Sequence, residues 1–276
     1  MNDNRYHESV MVKEVLESLH IKTGSQIIDA TLGTGGHSAA LIEAGALVLG
    51  IEADPKMLDI AKERLKNEQK LVLGNFTDIE KIAFDNNFNN VDGIIYDLGV
   101  SNLHLKNDDR GFSFSDSTQN LDMRLDPEKQ GVKASDLLNA LDKTQLTNLF
   151  SKVLNYQLSK QIAERVINNR PINTVGELIL ILEDLPHKRS LNPVTLPMLA
   201  LRISVNSELE NLNESLPKAI KLLKKGGRLV VITFHSEEEK IIKKIFGKNR
   251  KVREPSKEEI FKNARSRSAR LNIYEK

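Results

Sequence analysis

The residues best placed to do chemistry begin with the turn Asp29-Ala-Thr-Leu-Gly33-Thr-Gly35-Gly36-His37, followed by Glu52 and then Asp97-Leu-Gly-Val-Ser101. Glycine at a strand-to-helix turn lets the backbone bend sharply and come close to a ligand. The spacing is G-x-G-G, not the G-x-G-x-x-G of a dinucleotide site, and Ser38 replaces the third glycine, which argues against a nicotinamide or flavin enzyme. Glu52 lies twenty-three residues after Asp29, where an acid ending a second strand can accept hydrogen bonds from both ribose hydroxyls. The alternative for Glu52 and Asp54 is an ordinary solvent-facing strand end. Phe76 falls where an adenine ring would lie, or in the core. Together these residues suit an adenosyl ligand without a pyrophosphate, of which S-adenosylmethionine is the obvious member.

Asp97 stands where a fourth strand ends, beside the glycine turn in a doubly wound sheet. Its carboxylate can accept a hydrogen bond from an exocyclic amine and so aim the nitrogen lone pair; the alternative is a local cap. The chain has no cysteine. That excludes thiolate zinc sites, iron–sulfur clusters and the thiolate addition that methylation at carbon 5 of a pyrimidine requires. Direct in-line transfer to nitrogen or oxygen remains. Arg110, Phe112 and Phe114 interleave a cation with aromatics, a pattern that can hold a phosphate and stack a base, or simply pack beneath a loop. His235, Glu238 and Glu239 have metal-like spacing, but Ser236 and Glu239 read better as a helix cap. No metal site is assigned, and His235 is kept as a substrate contact.

Charge is unevenly distributed. The net value is +2, yet residues 240–276 hold thirteen Lys/Arg against four Asp/Glu. This basic tail, with Arg265 and Arg267, reads as a footprint for a polyanion such as RNA or as a solvated face. No apolar run approaches membrane-spanning length, and the amino terminus lacks a signal pattern, so the expectation is a cytoplasmic protein without membrane attachment. The sequence admits a homodimer.

The elements that must position these residues alternate in the α/β manner. Strands are expected at 26–32, 46–52, 71–76 and 91–98, with helices at 37–44 and 55–66. A helix over 208–225, stopped by Gly226-Gly227, precedes a strand at 228–234, a helix through Phe246 and a last strand at 269–274. The sequence from 105 to 206 reads as an inserted, mostly helical subdomain, with a capping box at Thr174–Glu177. The expected domains are therefore 1–104 with 207–276, holding the donor, and 105–206, recognising substrate.

The ordered motifs YHESVM (6–11), GTGGHS (33–38), DLGVS (97–101), RGFSF (110–114), LDMRLD (121–126), LRISVNSEL (201–209), FHS (234–236) and ARSRSARL (264–271) cover nearly the whole chain. In this set the chain resembles the bacterial ribosomal RNA small-subunit methyltransferases that act on the N4 amine of a 16S rRNA cytidine. The resemblance implies a class I methyltransferase (Rossmann-like) sheet with a helical insert, S-adenosylmethionine as donor, and a decoding-region cytidine in 16S rRNA, within the small ribosomal subunit, as substrate. Carried over by motif, the donor contacts are Gly35, Gly36, His37, Glu52, Phe76, Asp97 and His104, with Asp97 also catalytic. Glu52 replaces the usual Asp and His104 the usual Gln. The substrate-side residues are Ser101, Arg110, Phe112, Phe114, His235, Arg265 and Arg267, and His7 joins the site through its motif. Two alternatives are a non-catalytic RNA-binding assembly factor that keeps the donor pocket, and a methyltransferase for DNA or another amine.

Overall fold

The computed structural model describes residues 9–66, 69–106, 108–185 and 192–276. His7 and His187 lie outside them. The chain divides into two compact units, residues 1–100 with 209–276 and residues 101–208. The first unit begins with α1 (Val12–Leu19), β1 (Gln26–Asp29), α2 (Gly36–Glu43), β2 (Leu47–Glu52), α3 (Pro55–Leu65), β3 (Lys70–Leu73), α4 (Ile79–Asp85) and β4 (Val91–Asp97). The second holds α5 (Asn102–Lys106), α6 (Ala134–Ala140), α7 (Lys143–Ser151), α8 (Tyr156–Asn168), α9 (Val175–Leu182) and α10 (Thr195–Val205). The chain returns through α11 (Glu208–Leu222), β5 (Leu223–Thr233), α12 (Ser236–Phe246), β6 (Lys251–Arg253), α13 (Lys257–Lys262) and β7 (Arg270–Glu275).

The strands form one sheet in the order β3-β2-β1-β4-β5-β7-β6. β1 to β5 run parallel, and β7 is antiparallel to both β5 and β6. This is the doubly wound class I methyltransferase sheet, whose order reverses between β1 and β4. Side chains of successive strand residues point to opposite faces. Ile28, Ile94, Tyr96, Leu229 and Val231 accordingly join one core with Leu212, Leu216, Ile242 and Phe246. Ile27, Ile95, Val230 and Ile232 join the other with Val15, Leu19 and Leu41. Burying both faces pins strand register, since a one-residue slip would exchange the two cores. The carboxyl ends of β1, β2 and β4 are thereby fixed side by side.

Three local expectations change. The helix expected over 208–225 ends at Leu222, and Gly226-Gly227 lies within β5, where Gly226 N–H donates to Lys276 O (2.8 Å) and Lys276 N–H to Gly227 O (3.0 Å). The glycines serve a sheet irregularity, not a helix stop. The cap of α12 sits one residue earlier than Ser236/Glu239: Glu238 accepts the amides of Phe234 (2.7 Å) and His235 (3.1 Å). Glu239 instead takes Thr233 Oγ1 and, at 2.7 Å, Asn272 Nδ2, while pairing with Arg250. β3 stops at Leu73, and Asn75 Oδ1 accepts Thr77 N–H (2.9 Å) to open a 3-10 turn at Phe76–Asp78. Among the described residues no helix is long and apolar enough to cross a membrane.

Within the second unit, Leu146, Phe150, Ile162 and Val166 are buried on α7 and α8. The Thr174–Glu177 box forms as expected: Glu177 Oε2 accepts Thr174 N–H (2.9 Å) and Thr174 Oγ1 accepts Glu177 N–H (3.3 Å). Asn206 ties the loop before α6 to the end of α10 through Met123 O (2.8 Å) and Leu125 N–H (3.1 Å).

Candidate active site

The site is built where β1, β2 and β4 end. β1 finishes at Asp29, which is buried and accepts Ser38 Oγ–H at 2.7 Å and Thr31 N–H at 3.2 Å. Burial pushes this carboxyl above its ordinary range, against the Ser38 hydrogen bond and the nearby His37. Ser38, which replaces a dinucleotide-type glycine, thus fastens the start of α2 to the end of β1. The turn between them is closed by Gly35 N–H donating to Leu32 O (2.8 Å).

Glu52 ends β2 and is buried. Its Oε2 accepts Gly33 N–H (2.6 Å) and its Oε1 accepts Asp54 N–H (2.8 Å), so it ties the glycine turn to the start of α3. Burial raises its pKa to about 7 against these two amides. A carboxylate oxygen has further lone-pair capacity beyond one amide, so both oxygens can also take hydroxyl donors. Phe76 opens the 3-10 turn after β3, half-buried, its ring 5.5 Å from that of Tyr96 at 67°.

Asp97 ends β4, and its backbone N–H donates to Thr31 Oγ1 (2.6 Å). His37, 5% exposed on the first turn of α2, places Nε2 3.3 Å from Asp97 Oδ2. The contact is an ion pair whose angle makes no hydrogen bond. Neither His37 ring nitrogen nor Asp97 Oδ1 has a hydrogen-bond partner among the described residues, although all three atoms are buried. Burial opposes a charge on His37, but Asp97 and then Asp29 outweigh it and hold the imidazole above its ordinary range, with Arg64 acting in the opposite sense. Buried polar atoms without partners are costly, so this cluster is built to receive polar groups from elsewhere.

The structure therefore brings Gly35, Gly36, His37, Glu52, Phe76 and Asp97 to one end of the sheet. His235 also lies in this unit, directly after β5, with Nε2 3.1 Å from Glu238 Oε1. Arg265 donates from Nη2 to Val100 O (3.2 Å), close in sequence to Asp97, and Arg267 is exposed. Asp29, Thr31, Ser9 and Arg64 were not marked as site residues in sequence. Asp29 and Ser9 stood inside quoted motifs, whereas Thr31 and Arg64 carried no separate signal.

His104, Ser101, Arg110, Phe112 and Phe114 belong to the other unit. His104 is buried on α5, where its Nδ1 accepts Ser101 N–H (3.0 Å) and its ring lies 5.0 Å from that of Phe112. Two readings are corrected here. Arg110 is not available to a phosphate: it is buried, its Nε donates to Asp108 Oδ1 (2.8 Å) and its Nη1 to Arg124 O (3.0 Å) and Leu125 O (2.9 Å). Phe112 is only 7% exposed and packs beneath Arg110 at 5.4 Å, so it is not an open stacking platform; Phe114, 41% exposed, is. Gly111 is required between them, since at φ 72° a Cβ would overlap Asn120 O.

A protein-family model described as the MraW methylase family matches residues 4–254. Ribosomal RNA small subunit methyltransferase H of Thermotoga neapolitana is 40% identical, over 98% of this chain and 96% of that one. The protein of the same name from Dictyoglomus thermophilum is 37% identical, over 98% and 96%. Among solved structures, an rRNA methylase from Streptococcus thermophilus aligns with a TM-score of 0.46 at 12% identity, over 96% and 93%, a likeness too slight to weigh beside the strand order. The near-complete family match and the full-length relatives agree with the site at the strand ends: the chain belongs to the MraW methylase family.

Proposed function

We propose that this protein transfers a methyl group from S-adenosylmethionine to the exocyclic N4 amine of a cytidine in the decoding region of 16S rRNA, within the small ribosomal subunit. The observation that carries the reading is the buried group of Glu52, His37 and Asp97 at the ends of β1, β2 and β4, whose unpartnered atoms fit a polar nucleoside ligand. The names of the relatives, ribosomal RNA small subunit methyltransferases, support the substrate class. The donor, when bound, supplies an electrophilic methyl on a sulfonium.

The protein's own part is alignment. Glu52 accepts the ribose hydroxyls and Phe76 borders the adenine. Asp97 Oδ1 accepts an N–H of the cytosine amine, whose lone pair is otherwise delocalised into the ring, and turns that lone pair toward the methyl carbon. Holding reacting atoms in line about 3 Å apart is itself a large rate factor. As positive charge develops on the amine, the Asp97 carboxylate stabilises it and receives the proton that leaves after transfer. No covalent enzyme intermediate is needed. His104 is the remaining donor contact, Phe114 the base platform, and Ser101, His235, Arg265 and Arg267 the other substrate contacts.

Glu52 makes donor binding depend on pH. Ribose hydroxyls donate to the ionised carboxylate, and with a pKa of about 7 the ionised fraction rises about tenfold between pH 6 and 8. Donor affinity measured by calorimetry is expected to rise about tenfold over that interval, and the rise should vanish in Glu52→Ala. The stability effect has the opposite sign. A carboxyl whose folded pKa is raised favours the folded state at low pH, and that contribution is lost as pH climbs through about 7.

RNA retention is assigned to the basic tail. Arg267→Glu is expected to weaken binding across RNA sequences and to flatten the dependence on salt, read as the slope of affinity against salt concentration. The transfer reaction itself is tested by supplying labelled donor with small subunits, naked 16S rRNA, DNA or total protein, then identifying the modified nucleoside. N4-methylcytidine from rRNA is the expected product. Label in DNA or protein alone would redirect the substrate, and donor binding without transfer to any acceptor would favour the scaffold reading.

A further inference from the structure

We propose that Arg64 and Ser9, with the first turn of α2, form the subsite for the carboxylate of the donor's amino-acid moiety, an assignment that rests on the donor reading given above. The two side chains converge on one point. A Cβ at Gly36 would overlap Ser9 Oγ and lie 3.4 Å from Arg64 Nη1, so only glycine lets the hydroxyl and the guanidinium meet the first residue of α2. Both are held there. Arg64 Nη1 donates to Thr34 O at 3.4 Å, which keeps the guanidinium beside the glycine turn. Two residues beyond Ser9, Met11 is fully buried and its N–H donates to Glu259 Oε1 at 3.1 Å, anchoring the segment that carries Ser9.

The polarity of the site gives this point its ligand. Glu52, Asp97 and Asp29 make the strand ends anionic, so a carboxylate entering there is repelled. An ammonium is welcome. At the glycine turn the sign reverses, with Arg64, the His37 imidazole and the free amides of an eight-residue helix. His37, on that same turn and 5% exposed, has no hydrogen-bond partner at either ring nitrogen among the described residues, which independently marks a ligand position. A zwitterion is therefore held one way round, with its ammonium toward Asp97 and its carboxylate toward Arg64 and Ser9. Guanidinium is the side chain best matched to a carboxylate.

The test compares S-adenosylhomocysteine with S-adenosyl-3-thiopropylamine, which keeps the adenosyl thioether and the ammonium but has no carboxylate. By calorimetry, Arg64→Met is expected to lose about 30-fold in affinity for S-adenosylhomocysteine, the size of a charge-assisted contact, while binding the thiopropylamine within about twofold of wild type. Ser9→Ala should show the same selectivity with a loss of about threefold. The thiopropylamine affinity also reports that each variant is folded. Equal losses on both ligands would make Arg64 a mere prop for the glycine turn and overturn the subsite, as would no loss on either. Wild-type protein that binds neither ligand would instead overturn the donor reading on which the subsite depends.

Discussion

Asp97→Ala is expected to lower methyl transfer at saturating donor by about 10²–10³-fold, the usual cost of removing one group that stabilises charge developing in a transition state. RNA retention should change less than about twofold, because the carboxylate meets the base only at the reacting amine. The fold should tolerate the change. Asp97 is held through its backbone N–H to Thr31 Oγ1, and that bond survives truncation of the side chain. A second readout separates loss of the acceptor from general damage. His37 sits 3.3 Å from Asp97 Oδ2 and is held above its ordinary range largely by that carboxylate, so its titration followed by NMR should move down in the variant. Unchanged transfer would remove Asp97 from the mechanism.

Arg110→Met should be the most damaging substitution in the second unit. Asp108 and Arg110 have side chains only 4% and 7% exposed, and their pairing outweighs burial to hold the Asp108 carboxyl below its ordinary range. Removing the guanidinium strands a buried carboxylate and releases the carbonyls of Arg124 and Leu125, at a cost of about 3–5 kcal/mol. For a chain of this size that corresponds to a fall of roughly 10 °C in thermal midpoint, measured by calorimetry near neutral pH. The linkage has a definite sign. A carboxyl with a depressed folded pKa stabilises above its unfolded pKa, and that stability is lost as pH falls through the folded value. The gap between variant and wild type should therefore narrow in acid.

What the sequence disclosed, and what it withheld, follows the range of the interactions. The strands and the helices between them are written in local patterns, with apolar runs for strands buried on both faces and Pro55 opening α3 behind an Asp54 cap. The carboxylates at strand ends were legible for the same reason: their place depends only on where a strand stops. The cap of α12 was not. Glu237, Glu238 and Glu239 offer several frames, and the choice is made by Asn272 and Arg250, which take Glu239 from far along the chain. Gly226-Gly227 was misread likewise, because its partner is Lys276 on β7. Arg110 looked like a phosphate ligand because its motif exposes a cation among aromatics. Only the fold places Asp108 against it and seals both from solvent. Arg64 was invisible, since nothing in a helix repeat announces that one arginine reaches back to Thr34.

The most direct measurement is a crystal structure with S-adenosylhomocysteine bound. The ribose hydroxyls should lie within hydrogen-bond distance of Glu52, the adenine beside Phe76, and the sulfur should face a cavity that also exposes Asp97 Oδ1. A ligand bound elsewhere, or one whose ribose leaves Glu52 untouched and whose sulfur points away from Asp97, would contradict the account.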